Sequence, residues 1–238
     1  IIGPVVADDL TITIPVRIDS TDRLNNLVVV VSALIATTTA RIVVGIGDPS
    51  AINSRLPTEV EVVSVNDPPS RPFHRTRVLN ELTRQVRTPF FANLDADIVI
   101  PPEQWAATLQ LLRHEGAELV LPYDGRMVEV PLGHHPWLER GDHEAMPRVR
   151  RRLMHPSSCG GCVVWLTEAH LRIGMENEGL VSWGFEDDER IVRAATLGVA
   201  AHRVSGTAFH LFHRRGSDSR HDHPLVEANE AELGRITR

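Results

Sequence analysis

Between positions 10 and 94 the hydrophobic period of this chain switches repeatedly between two and about 3.6, and this alternation restricts the possible fold more than any other property of the sequence. Leu10, Ile12, Ile14 and Val16 share one face of a period-two run, with Pro15 marking its end as a strand edge. Leu24, Leu27, Val28, Val31, Leu34 and Ile35 then recur at helical spacing, and residues 41–46 form a second apolar run that ends in Gly47, Asp48 and Pro49. A strand over 60–65, a helix over 76–86 and a strand over 89–94 repeat the theme. Short strands alternating with amphipathic helices bury both faces of a parallel sheet, so an α/β layered fold is expected.

The second half is less regular. Pro101 and Pro102 open a helix carrying Trp105, Leu109 and Leu112, and a strand is expected over 118–122. Residues 125–158 are dense in His, Arg, Gly and Pro and read as one long loop, with room for a short hairpin near 127–132. Regular spacing returns with a strand over 162–166, helices over 167–173 and 186–197, and a strand over 200–204. The tail after Gly216 is polar and at best partly helical.

Composition narrows the function. With 238 residues, 42% of them hydrophobic, the chain encloses one substantial core and reads as a single domain. The most apolar stretch, 27–35, is far shorter than the ~20 residues that span a bilayer, so no transmembrane segment is expected. A net charge of −6 provides no general basic field for bulk nucleic-acid binding, although Arg148 and Arg150, Arg151 and Arg152 form a local basic cluster. All 25 basic residues are Arg, which excludes a Schiff-base or P-loop lysine. Cys159 and Cys162 have no second pair with which to complete a zinc site or a disulfide framework, and they read as buried thiols. With no leader ahead of Ile1, a reducing, cytoplasmic setting is expected.

Ligands of parallel sheets collect where the strands end, which directs attention to Arg17, Asp19, Asp48, Asp67, Asp95 and Asp97. Asp95-Ala96-Asp97 aims two carboxylates at one small volume, which suits either a divalent cation or a solvated turn. Four acids, Glu186 to Glu189, follow Trp183-Gly184-Phe185. The helix dipole accounts for acids at a helix start, yet the aromatic lead also places a flat surface beside a candidate carboxylate base. Crowding of like charges there raises one of the four pKa values. His210 and His213, three apart and followed by Arg214 and Arg215, offer imidazole ligands beside phosphate-binding guanidiniums.

Taken together, Ile14-Pro15-Val16-Arg17, Asp95-Ala96-Asp97, Gly160-Gly161 ahead of an apolar strand, Trp183 to Asp188 and His210-x-x-His213 resemble the GT-A fold glycosyltransferases. The likeness is nearest to family 2 enzymes and to the C-terminal half of β-1,4-galactosyltransferases and polypeptide N-acetylgalactosaminyltransferases. It runs from about 10 to 215 and implies a GT-A, Rossmann-like domain with a mostly parallel central sheet flanked by helices. By this resemblance, about 10–100 is the nucleotide-binding half, about 101–215 the acceptor and catalytic half, and 216–238 a polar tail.

The resemblance also implies residue roles. Pro15, Arg17, Asp19 and Asp48 would contact a uridine nucleotide, Asp95 the ribose or donor sugar, and Trp183 the sugars, with Arg214 on the diphosphate. Asp97 with His210, His213 or both would hold Mn2+ or Mg2+. Asp187 would be the general base of an inverting transfer from a UDP-sugar to an acceptor hydroxyl on a glycan, lipid, protein or small molecule, with Glu186 beside it. The donated sugar is expected to be of galactose, N-acetylgalactosamine or glucose type. The second-strand loop departs from the family 2 pattern, since Asp48 stands alone where two adjacent acids are common. A metal-dependent hydrolase using the same His and Asp residues, and a silent sugar-nucleotide-binding module, are the alternative readings. The stretch 141–158 is placed where an acceptor loop or lid is expected.

Overall fold

The computed structural model describes residues 3–131, 135–139, 152–155, 157–214, 216 and 223–236. In chain order the first half comprises β1 (Leu10–Pro15), α1 (Thr21–Thr37), β2 (Arg41–Ile46), β3 (Glu61–Ser64), α2 (Arg75–Thr83) and β4 (Phe90–Leu94). Next come β5 (Ile98–Val99), α3 (Pro102–His114), β6 (Leu119–Leu121), β7 (Met127–Val130), α4 (His135–Glu139) and β8 (Arg152–His155). The chain closes with β9 (Cys162–Leu166), α5 (Thr167–Arg172), α6 (Glu186–Thr196), β10 (Ala201–Arg203), β11 (Ala208–Leu211) and α7 (Val226–Ile236).

Every residue of β1 is buried, because this strand runs between two parallel neighbours and under helices on both faces. It is central to a seven-stranded sheet of order β10-β6-β9-β4-β1-β2-β3. Pro15 therefore ends an interior strand rather than lying on a sheet edge. The sheet is parallel except for β9, which runs antiparallel to β4 and β6. On one side α1 starts at Ser20, whose side chain accepts from Arg23 N, and buries Leu27, Val30, Val31 and Leu34 in the main core. Burying each such side chain contributes about 1.5–3 kcal/mol. A smaller core under Trp165, Phe91 and Ala194 seats α6 on the opposite side. Among the described residues no helix is long and apolar enough to cross a membrane.

The helix over 76–86 ends earlier, at Thr83, with Arg84 as its C-cap. The larger departure lies in 125–158, expected to be loop. Met127–Val130 is a strand, but its antiparallel partner is β8, more than twenty residues on, and it pairs in parallel with β11 on its other side. These strands and β5 make a second, four-stranded sheet, order β5-β11-β7-β8. Strands whose partners lie far along the chain, set in a stretch dense in His, Arg, Gly and Pro, show no hairpin or crossover pattern in the sequence. The tail is partly helical: 226–236 is a helix docked by Asn229, which donates to Val181 O at 2.9 Å and Gly184 O at 3.2 Å and accepts from Val181 N at 3.2 Å. The basic cluster Arg148, Arg150 and Arg151, most of the expected lid, and Arg215 lie outside the described residues.

Candidate functional site

At the C-terminal ends of β1 and β4 the two sheets part around a cleft of about 1240 Å³, where a parallel sheet places its ligands. One wall is the second sheet. Antiparallel pairing sets His210 of β11 opposite Ile98 of β5, and Leu211 N donates to Asp97 O at 2.7 Å, which places the Asp97 carboxylate beside the imidazoles. Buried Asn26 of α1 holds the end of β11 in place, donating to the carbonyls of Leu211 and Phe212, each at 3.2 Å.

Asp97 Oδ2 lies 3.0 Å from His213 Nε2, and Asp97 Oδ1 lies 3.9 Å from His210 Nε2. One ligand atom from each of Asp97, His210 and His213 falls within 4.8 Å of the others, a carboxylate and two imidazoles converging on one point. His213 Nδ1 is engaged with Arg214 O at 3.0 Å, leaving Nε2 for the cluster. His210 Nδ1 is buried with no hydrogen-bond partner among the described residues. Burial pushes the Asp97 carboxyl up, but His210, His213 and Arg23 outweigh it and hold the group below the usual carboxylate range. A mixed nitrogen and oxygen donor set of this kind fits a divalent transition ion such as Mn2+ better than Mg2+, which prefers oxygen ligands throughout.

The opposite wall is the start of α6. Ser182, Gly184 and Phe185 all have positive φ (67°, 107° and 70°), a sharp turn that only glycine adopts without cost, and it delivers the following acids into the cleft. Glu186 is 7% exposed; its Oε2 accepts from Gly184 N at 2.9 Å. Burial, with Asp187 beside it, pushes its pKa up to about 7. Asp187 behaves in the opposite way. Burial pushes it up as well, but Arg190, whose Nη1 donates to Asp187 Oδ1 at 2.6 Å, and Arg75 together hold it below the usual carboxylate range. Burial, with the Asp187 charge adding to it, thus raises one of these neighbouring carboxyls, while two guanidiniums lower the other.

Arg75 joins the two walls. Its Nη2 donates to Asp95 Oδ1 at 2.6 Å, and its Nη1 lies 3.8 Å from Glu186 Oε1 and 3.6 Å from Asp187 Oδ1. Pro15, Arg17, Asp19, Asp95, Asp97, Trp183, Glu186, Asp187, His210, His213 and Arg214 all line the cleft. Asp19 pairs with Arg23 at 3.1 Å, which in turn reaches Asp97 at 3.6 Å. Asp48 is not brought to the cleft: it caps a single 3-10 turn, accepting from Ser50 N at 3.0 Å and Ser50 Oγ at 2.7 Å. The acid that meets Arg17 is Asp67, one strand further out, through a bidentate pair that includes Arg17 Nε to Asp67 Oδ2 at 2.8 Å. Arg17 also lies over the Phe73 ring, 5.3 Å from its centroid.

Sequence reasoning missed Arg75, Phe73 and Arg190. Arg75 and Phe73 stand at the start of α2 with no motif to mark them, and only the fold brings them to residues twenty to more than a hundred positions away. Arg190 lies three residues after Asp187 on one helix face, a spacing visible in the sequence. Of the two thiols, Cys162 is buried, whereas Cys159 borders the cleft with Sγ 3.2 Å from Asp188 Oδ1, and burial together with Asp187 raises its pKa to about 12.

Residues 140–215 match a family model described as the N-terminal domain of galactosyltransferase, a span that includes the α6 acids and both histidines. No curated protein matches the chain in sequence. Among solved structures, the mannosyltransferase PcManGT from Pyrobaculum calidifontis, in complex with GDP-Man and Mn2+, superposes with a TM-score of 0.56 at 14% identity, over 94% of this chain and 69% of that one. Glucosyl-3-phosphoglycerate synthase from Mycobacterium tuberculosis superposes in two structures. The complex with phosphoglyceric acid gives a TM-score of 0.54 at 17% identity, over 94% of this chain and 80% of that one. The complex with Mn2+, UDP and phosphoglyceric acid gives 0.52 at 16% identity, over 96% and 74%. The chain is thus a single domain with the GT-A fold of the glycosyltransferases.

Proposed function

We propose that the protein is a metal-dependent glycosyltransferase that moves a hexose from a UDP-sugar to an acceptor hydroxyl with inversion at the anomeric carbon. The observation that carries this reading is the convergence of Asp97, His210 and His213 on one side of a single cleft, with Asp187 and Glu186 on the other. The fold, the match over 140–215 and the Mn2+ complexes of the two structural neighbours support it.

On this reading Arg17 and Phe73 form the flat, cationic seat for the uracil, bordered by Pro15 and Asp19. Asp95, fixed by Arg75, meets the ribose or donor sugar. Asp97, His210 and His213 hold Mn2+, which supplies positive charge at the diphosphate leaving group when bound. Arg214, exposed beside His213, adds a second cation for the phosphate oxygens.

Asp187 is the general base. Held ionised by Arg190 and Arg75, it takes the proton of the acceptor hydroxyl while that oxygen bonds to the anomeric carbon. The bond from the anomeric carbon to the diphosphate breaks, and its electron pair leaves with UDP. Glu186, with a pKa near 7, carries a proton for part of the neutral range and donates a hydrogen bond to a sugar hydroxyl without a second full negative charge beside Asp187. Trp183 supplies the apolar face against which the sugars pack.

Asp187→Asn tests the base assignment directly. Turnover should fall by about 10²–10⁴-fold while calorimetric UDP affinity is retained. Equal loss of binding and turnover would contradict the role.

A further inference from the structure

The base has a support that no sugar or nucleotide need touch. Arg190 is 1% exposed and is gripped from behind by Glu176, with Nε donating to Oε1 at 2.9 Å and to Oε2 at 3.0 Å. Its Nη1 faces forward and donates to Asp187 Oδ1 at 2.6 Å. Glu176 is 3% exposed and is itself tied to the central sheet: Asn93 Nδ2 of β4 donates to Glu176 Oε1 at 3.3 Å, and Thr13 Oγ1 of β1 donates to Asn93 Oδ1 at 2.9 Å. Asp187 is also limited by the Gly160 backbone, because a Cβ on Gly160 would stand 2.2 Å from Asp187 Oδ2.

A fully buried ion pair is an expensive way to stabilise a core, since apolar residues of the same volume commonly do as well or better. Here the pair lies on a buried polar chain that starts on the two central strands, takes in His170 Nε2 at 3.3 Å from Glu176 Oε1, and reaches the cleft at one carboxylate. We infer that Arg190, anchored by Glu176, is a positioning residue that fixes the Asp187 carboxylate at the cleft surface through Nη1. This rests on the reading of Asp187 as the base. A guanidinium suits the role because its fork reaches Glu176 through Nε and Asp187 through Nη1 at once, which a lysine ammonium does not.

The test is a double-mutant cycle on nucleotide release with Mn2+, using UDP-galactose, UDP-N-acetylgalactosamine, UDP-glucose and GDP-mannose as probes and water as the acceptor. Because removing one member strands a buried charge, both are neutralised together in Glu176→Gln/Arg190→Met, with and without Asp187→Asn. The double variant should lose about 10–100-fold in kcat with donor KM and UDP affinity within about twofold. Added to Asp187→Asn, it should cost no more than about threefold further, because both changes remove the same function. Losses that multiply, or a double variant with wild-type kcat, would overturn the positioning role. Should Asp187→Asn alone turn over normally, the base assignment fails instead, and the two failures are distinct. Arg190→Lys, with Glu176 kept, covers the case in which the neutral pair does not melt cooperatively: it should lose at least about tenfold in kcat at unchanged KM, and wild-type kcat would refute the inference.

Discussion

Replacing Gly160 with Ala perturbs the candidate base without touching its chemistry. The added methyl would stand 2.2 Å from Asp187 Oδ2 and 2.9 Å from its Cγ. Ordinary contact requires roughly 3.5 Å, so the carboxylate must retreat by about an ångström or more. That retreat pulls it off the 2.6 Å bond from Arg190 Nη1. A displacement of about 1 Å at a reacting group costs on the order of 10²-fold, or roughly 3 kcal/mol of transition-state stabilisation. The stability cost is smaller, because Asp187 is a short side chain 26% exposed and swings into the cleft instead of into the core. Losing part of a charged hydrogen bond, about 1–2 kcal/mol, lowers Tm by roughly 2–8 °C in a domain of this size. The assay pairs steady-state nucleotide release in Mn2+ with calorimetric UDP binding and a thermal melt. A Gly160→Ala protein with kcat within about threefold of wild type would mean that the base tolerates displacement and that its position is not what sets the rate.

Other consequences follow from the same geometry. Glu186 titrates near 7 in the fold against 4.5 as an ordinary carboxyl, so the folded state binds the extra proton; its contribution is present below about 4.5 and lost as pH rises through about 7. Tm should therefore fall across that window by more in wild type than in Glu186→Gln, which thermal melts in a pH series measure. Asp97→Asn should weaken Mn2+ binding by at least about 100-fold, since even residues that only orient a ligand cost 10–100-fold; calorimetry with Mn2+ alone reads this. Gly234→Ala, in the body of α7 where an added Cβ meets nothing within 4 Å, should stabilise by about 0.5–1 kcal/mol and leave turnover unchanged. Asn229→Ala should loosen the turn at 181–184 and increase its amide exchange, with the sheet core unaffected.

The first half of the fold was legible because strand and helix periods alternate there: residues 41–46 and the helix over Leu24 to Ile35 are found where their patterns place them. The second sheet was not, because β5 has two residues and β7 pairs with β8 and β11, each more than twenty positions further on, so no hairpin or crossover pattern announces it. The candidate site divides in the same way. Asp97, His210, His213, Asp187 and Glu186 announce themselves by chemical type and close spacing, and the fold gathers them in one cleft. Arg75 meets Glu186 and Glu176 meets Asn93, partners far away in sequence that only topology brings together. Asp48 shows the opposite case: an acid at a strand end need not face the ligand side, and here the local turn takes up its carboxylate.

The proposed activity is metal-dependent sugar transfer in this cleft. Nucleotide release from UDP-galactose, UDP-N-acetylgalactosamine, UDP-glucose and GDP-mannose, measured with Mn2+, with Mg2+ and with chelator, tests it most directly. Release is expected from a UDP-sugar in Mn2+, less in Mg2+, and none in chelator or after Asp97→Asn. No release from any donor, together with UDP binding that ignores Mn2+, would contradict it and favour a hydrolase or a silent binding module on the same fold.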